Sequence, residues 1–106
     1  MKVYWTIYAR QRLREIKAYL DDKAPAVTQK TITSIVKRSQ TLGKLPKIGP
    51  QVPEYRREDI RQVLERPYRL VYRIVEDKER LDILTVAHYQ QLLPGDAKAL
   101  LALAKD

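Results

Sequence analysis

Recognition of a phosphate or a carboxylate needs cations, and this chain gathers them in one stretch. Of its eleven arginines, six lie together: Arg56, Arg57, Arg61, Arg66, Arg69 and Arg73. A guanidinium forks onto phosphates and carboxylates and stacks on flat rings, whereas an ammonium acts as a point charge. Clustered arginine therefore points to a recognition surface. His88 is the one histidine and could exchange protons near neutrality; Tyr89 follows it. A histidine at the end of a strand is nevertheless more often a structural hydrogen-bonding group. Arg56, Arg57 and Arg61 are interleaved with Glu54, Glu58 and Asp59, which would largely neutralise them. Glu58, Asp59, Asp77 and Asp82 lack the spacing of metal ligands. The three glycines are not grouped, so they form no phosphate-cradling loop. Neither metal nor cofactor is expected.

The elements that must position these residues are read from residues 60–89. Three short strands are predicted, over 60–66, 68–76 and 81–87, with Pro67 breaking the first junction and a polar run over 77–80 making the second. Alternate residues of a strand face opposite ways. Tyr68, Leu70, Tyr72 and Ile74 make one row, the expected core. Arg69, Val71, Arg73 and Val75 make the other, placing two guanidinium groups on an apolar floor. Charge on a mid-sheet strand is costly unless its face stays wet or meets a partner. The expectation is an arginine-studded sheet face, covered by helices on its far side only, that serves as the working surface.

Upstream, residues 2–8 are rich in Val, Ile, Tyr and Trp and read as a first strand. The period then changes: Ala9, Leu13, Ile16 and Leu20 form one helical stripe. Asp21 and Asp22 sit poorly at a negative helix end and are read as a turn over 21–24. A second helix runs from Pro25 to about Leu42, with Gly43 as its stop. Residues 44–53 hold three prolines and one glycine and read as a loop. A short Ala- and Leu-rich helix over 96–105, with Asp96 as N-cap, must dock on something to be stable. The fold class is α+β: a small antiparallel sheet, a helical hairpin on one face and a short C-terminal helix, all in one domain over 1–106.

At 106 residues, with 44% hydrophobic and 32% charged residues, the chain suits a single globular core. No apolar run approaches the roughly 20 residues that cross a bilayer. The N-terminal stretch has no signal-peptide layout, and no cysteine is present. A cytoplasmic protein without membrane attachment is expected. Net charge of +8 and a pI near 9.8 suit a polyanion or an acidic protein as partner.

The order of features resembles the RelE/ParE superfamily of toxins from bacterial type II toxin–antitoxin pairs. The resemblance is carried by WTIYARQRLREIKAYL, LGKLPKIGPQVPEY, IRQVLERPYRLVYRI and ILTVAHYQQLLP, which cover nearly the whole chain. The P-x-x-G-x-x-V-P-E loop at residues 46–54, followed by Ile60-Arg61 and Tyr68-Arg69, looks most like the ParE branch. That resemblance implies a toxin that inhibits DNA gyrase, through its A subunit, and blocks replication. It also implies a cognate ParD-like antitoxin, with operator DNA reached only through that antitoxin. Target contact is then expected from Arg61, Arg69, Arg73 and His88. Antitoxin contact is expected from the helical hairpin at Leu13, Ile16, Leu20, Ile35 and Leu42. On the ParE reading no residue is catalytic.

The RelE branch implies a different activity, ribosome-dependent cleavage of mRNA. Such chemistry needs a base, an acid and cations for the phosphorane charge, and the matching residues here are Arg61, Arg69, His88 and Tyr89. The lysine pair and a clear glutamate found in RelE-like enzymes are not matched. A third alternative is an inactive homologue that only binds an antitoxin.

Overall fold

The computed structural model describes residues 1–105. The chain runs β1 (Lys2–Trp5), α1 (Ile7–Lys23), α2 (Pro25–Thr41), β2 (Ile60–Glu65), β3 (Tyr68–Val75), β4 (Arg80–His88) and α3 (Ala97–Leu103). The strands form one sheet in the order β1-β4-β3-β2. The α+β class holds, with one difference in the sheet. β2, β3 and β4 make the expected antiparallel meander, but β1 joins β4 in parallel, Val3 opposite Leu81 and Trp5 opposite Ile83.

The first strand is shorter than its composition suggests. Thr6 ends it, because the Thr6 hydroxyl accepts the Ala9 N–H at 3.1 Å and caps α1. Tyr8 therefore lies in the helix. At the other end α1 continues through Asp21 and Asp22, which were expected as a turn. Asp21 is held there by Lys17 at 2.8 Å, one helical turn earlier. Ala24 alone then joins the two helices.

The expected row Tyr68, Leu70, Tyr72 and Ile74 is the sheet side of the main core, packed with Ala9, Ile35 and Leu42 and flanked by Leu13 and Ile16. On β4 the alternation slips. Val71 faces Thr85 but Tyr72 faces Ile83, so Leu84 is an extra residue in that strand. The bulge lets Leu81, Ile83 and Val86 share the hairpin side while Leu84 turns to the opposite face.

That opposite face is not bare. Leu84, Val71 and Ile60 are covered by Ala97, Leu100 and Ala104 of the C-terminal segment, with Val52 from the long loop beneath and Tyr8 and Tyr55 at the margin. Asp96 caps α3 through the Ala99 N–H at 2.8 Å. The short helix thus docks on its own domain, and the sheet is sealed on both sides. The expectation of helices on one face only is overturned.

Candidate functional site: the arginines and the aromatic end of the sheet

Arg69 and Arg73 do stand on one face of β3, as parity requires, but neither is free. Arg69 is 7% exposed. Its Nη2 donates to Glu54 Oε2 at 2.9 Å and to the Gln91 carbonyl at 3.0 Å. Its Nη1 donates to Gln62 Oε1 at 3.1 Å and reaches Glu54 Oε1 at 3.4 Å. The hydrogen bonds from Arg69 hold the Glu54 carboxyl below its ordinary range against a smaller opposing effect of burial.

Arg73 donates to Asp59 Oδ2 at 3.0 Å, and Arg57 grips the same carboxylate with two bonds of 2.9 and 3.0 Å. Burial pushes Asp59 up, yet the two guanidinium groups outweigh it and the carboxyl lies below its usual range. Arg61 donates to the backbone carbonyls of Glu58 at 3.0 Å and Gly49 at 2.9 Å. Three of the four expected target-binding groups thus stitch loop 44–59 onto β2 and β3. The positively charged platform read from strand parity is an internal ion-pair network.

Tyr72 completes the stitching. Its hydroxyl donates to the Pro46 carbonyl at 2.6 Å and accepts the Gly49 N–H at 3.1 Å. A Cβ at Gly49 would collide with the Gln62 carbonyl and sit 2.9 Å from that hydroxyl, so only glycine allows this approach.

At the far end of the sheet, His88 is half-buried between two tyrosines. Tyr68 meets it edge-on with ring centres 6.0 Å apart, and Tyr89 stacks on it at 4.9 Å. The His88 Nδ1 accepts the Gln90 N–H at 3.2 Å, which leaves the proton of the neutral ring on Nε2. Two clefts flank this cluster. One of about 350 Å³ is bounded by Arg12, Ile16, Tyr19, Tyr68 and His88. The other, of about 500 Å³, lies among Leu64, Arg66, Pro67, Arg69 and Tyr89. Arg66 has no partner among the described residues.

The four residues matched to a ribonuclease do not converge. Arg61 lies opposite Tyr72, whereas His88 lies opposite Tyr68, four residues further along β3. At about 3.3 Å per residue that is roughly 13 Å. Arg69, next to Tyr68 on β3, points to the other face of the sheet from the Tyr68–His88 pair. Tyr89 shares only the outer cleft with it.

The hairpin residues expected to meet an antitoxin divide in two. Ile35 and Leu42 are fully enclosed in the core and Leu20 is buried, so a partner cannot touch them without opening the domain. Leu13 and Ile16 are partly buried at its edge. The exposed apolar groups of the hairpin are others: Tyr19 at 61%, Ile7 and Val27. Tyr19 lies beside the Ile16/Leu20 stripe rather than on it. That offset is the signal that marks it as outward-facing.

A family model for the ParE toxin of the type II toxin–antitoxin system parDE matches residues 3–93. The chain belongs to the ParE toxin family. A relative of this ParE chain, Y4kP of Sinorhizobium fredii (strain NBRC 101917 / NGR234), is 33% identical over 94 residues, covering 88% of this chain and 93% of its own. Among solved structures, the chromosomal ParDE toxin–antitoxin system of P. aeruginosa matches with a TM-score of 0.69 and 23% identity, over 83% of this chain and 95% of that one. The toxin–antitoxin complex RelBE2 of Mycobacterium tuberculosis matches with a TM-score of 0.60 and 25% identity, over 82% and 95%. This ParE chain is the toxin type of a type II module.

Proposed function

We propose that this toxin acts by binding, with DNA gyrase as its target in the cytoplasm, and that a ParD-like antitoxin neutralises it. Membership of the ParE family supports the reading. The observation that carries it is the separation of Arg61 from His88, with Arg69 turned away and engaged by Glu54. A cleavage site needs base, acid and cation around one phosphate, and these groups are spread over both faces of the sheet. A binding protein needs no such convergence.

The target contact moves accordingly from Arg69 and Arg73 to the outer cleft. There Arg66 has no partner among the described residues, and the exposed Leu64 and Tyr89 give apolar surface in the same cleft. An aromatic and an arginine beside an exposed leucine make the composition of an interface anchor. Induction of the toxin without antitoxin tests the reading: a DNA-damage response with uncut mRNA is expected, and immediate arrest of translation would overturn it.

The likeness to the RelBE2 complex and the Tyr68–His88–Tyr89 cluster favour one second reading, cleavage of mRNA at the ribosome. Mapping of mRNA 5′ ends decides it. Codon-phased cuts that vanish in His88→Ala would replace the gyrase reading.

A further inference from the structure

Helix α2 carries Lys30, Lys37 and Arg38 and not one carboxylate along Pro25–Thr41. α1, by contrast, pairs charges along its length, Arg12 with Glu15 and Lys17 with Asp21. Lys30 and Lys37 are exposed, and neither has a partner among the described residues. Seven residues apart, they point in nearly the same direction, roughly 10 Å from each other along the helix axis. Arg66, between β2 and β3, comes up beside this row. With Val27, Lys30, Thr31 and Ser34 it walls a cleft of about 300 Å³, where Glu65 is the one carboxylate among the described residues. The hydroxyls of Ser39 and Thr41 turn back onto helix carbonyls at 2.6 and 2.7 Å. Those of Thr31 and Ser34, in the cleft, make no hydrogen bond among the described residues.

We infer that this face grips the phosphate backbone of duplex DNA, the polymer on which the proposed target works. The role of the contact rests on the gyrase reading; the contact itself does not. Lysine as a point charge, arginine as a fork and free hydroxyls are the groups that bond phosphate oxygens. Roughly 10 Å of B-DNA axis carries about three phosphates on one strand, so Lys30 and Lys37 can each meet one. Such contacts carry no sequence information, so this is not an operator site. Single strands are held by flat rings that stack on their bases, and neither α2 nor the cleft has an aromatic side chain. A protein interface is depleted of lysine and needs an apolar centre, and a bilayer surface takes an apolar helix face. Val27 is the large apolar group that α2 exposes. Arg66 also lines the outer cleft, so the DNA face is continuous with the proposed gyrase contact.

The test has two arms. In the first, full-length toxin is titrated without gyrase onto a fluorescein-labelled duplex of about 20 base pairs, at roughly 50–200 mM salt. Wild type should bind with a slope of about −3 in log affinity against log salt, for Lys30, Lys37 and Arg66. K30Q/K37Q should bind at least about tenfold more weakly, with a slope shallower by about 2, at an unchanged thermal midpoint. R10Q/R14Q removes the same charge from α1, where both arginines lack a partner among the described residues, and should bind as wild type does. No binding at the lowest salt, or an equal loss in both variants, overturns the inference. Preference for one duplex sequence, or tighter binding of single-stranded RNA of the same length, overturns it as well.

The second arm adds gyrase and plasmid. K30Q/K37Q should need about tenfold more toxin than wild type for the same inhibition of supercoiling. It should still bind gyrase as wild type does when DNA is absent. Equal inhibition by the two proteins overturns the role given to the contact. Supercoiling left intact by wild-type toxin sinks the gyrase reading instead, and the duplex titration then decides the DNA contact by itself.

Discussion

Arg69 and Glu54 meet at the joint between sheet and loop, Nη2 to Oε2 at 2.9 Å, with the arginine almost wholly enclosed and the carboxylate half in water. The pair anchors the loop that supplies Val52 to the second core. Breaking a buried pair from one side leaves the other charge uncompensated. Glu54→Gln, which leaves the enclosed guanidinium with neutral partners only, should therefore cost about 2–4 kcal/mol, and Arg69→Ala less through charge, because the carboxylate it leaves is half in water. Urea unfolding of both variants measures the difference.

The same contacts set a pH dependence. Glu54 is held down by Arg69; Asp59 is pushed up by burial but held down further by Arg57 and Arg73. Folded-state values below the unfolded ones mean stability that is fully present above the ordinary carboxylate value of about 4. It is lost as pH falls through the lowered folded values. The thermal midpoint should hold level from neutrality down to that value and then drop. Glu54→Gln should make the acid limb shallower.

Gly49 and Tyr72 are expected to act as one unit. Gly49→Ala forces a Cβ against the Gln62 carbonyl and the Tyr72 hydroxyl, which should cost about 1–3 kcal/mol. Tyr72→Phe keeps the packing but leaves the buried Gly49 N–H without its acceptor, again about 1–3 kcal/mol. The double variant should lose less than the sum, a coupling that a double-mutant cycle reads directly.

Much of the fold could be read from residue order. The α1 stripe and the Tyr68–Ile74 row depend on local periods of 3.6 and 2, and both sit in the core. The parallel place of β1 could not be read, because Val3 pairs with Leu81, far along the chain, and no local pattern records that choice. The Leu84 bulge hid the second core, since one extra residue reverses which side chains face which way. The candidate site suffered most. Glu54 and Asp59 lie on a loop whose path is set by tertiary contacts, so no local period places their carboxylates beside Arg69 and Arg73. The interleaved acids around Arg57 were the one hint, and the Arg57–Asp59 pair fulfils it.

Leu100 tests whether α3 seals the sheet. Fully buried over Leu84 and Val71, it should cost about 2–5 kcal/mol as Leu100→Ala. Amide exchange should then speed up in α3 and around Val52 before the hairpin side is affected. A loss confined to α3 alone would mean that the second core is not shared with the loop.

The central claim is that the toxin disables gyrase by contact through the outer cleft, with Arg69 and Arg73 serving the fold. Supercoiling by purified gyrase, titrated with wild-type toxin and with L64E/R66E, measures it most directly. Inhibition by wild type at micromolar toxin, weakened at least about tenfold in the variant at unchanged thermal stability, is the predicted result. Full supercoiling in the presence of wild-type toxin, or equal inhibition by the two proteins, would contradict the account.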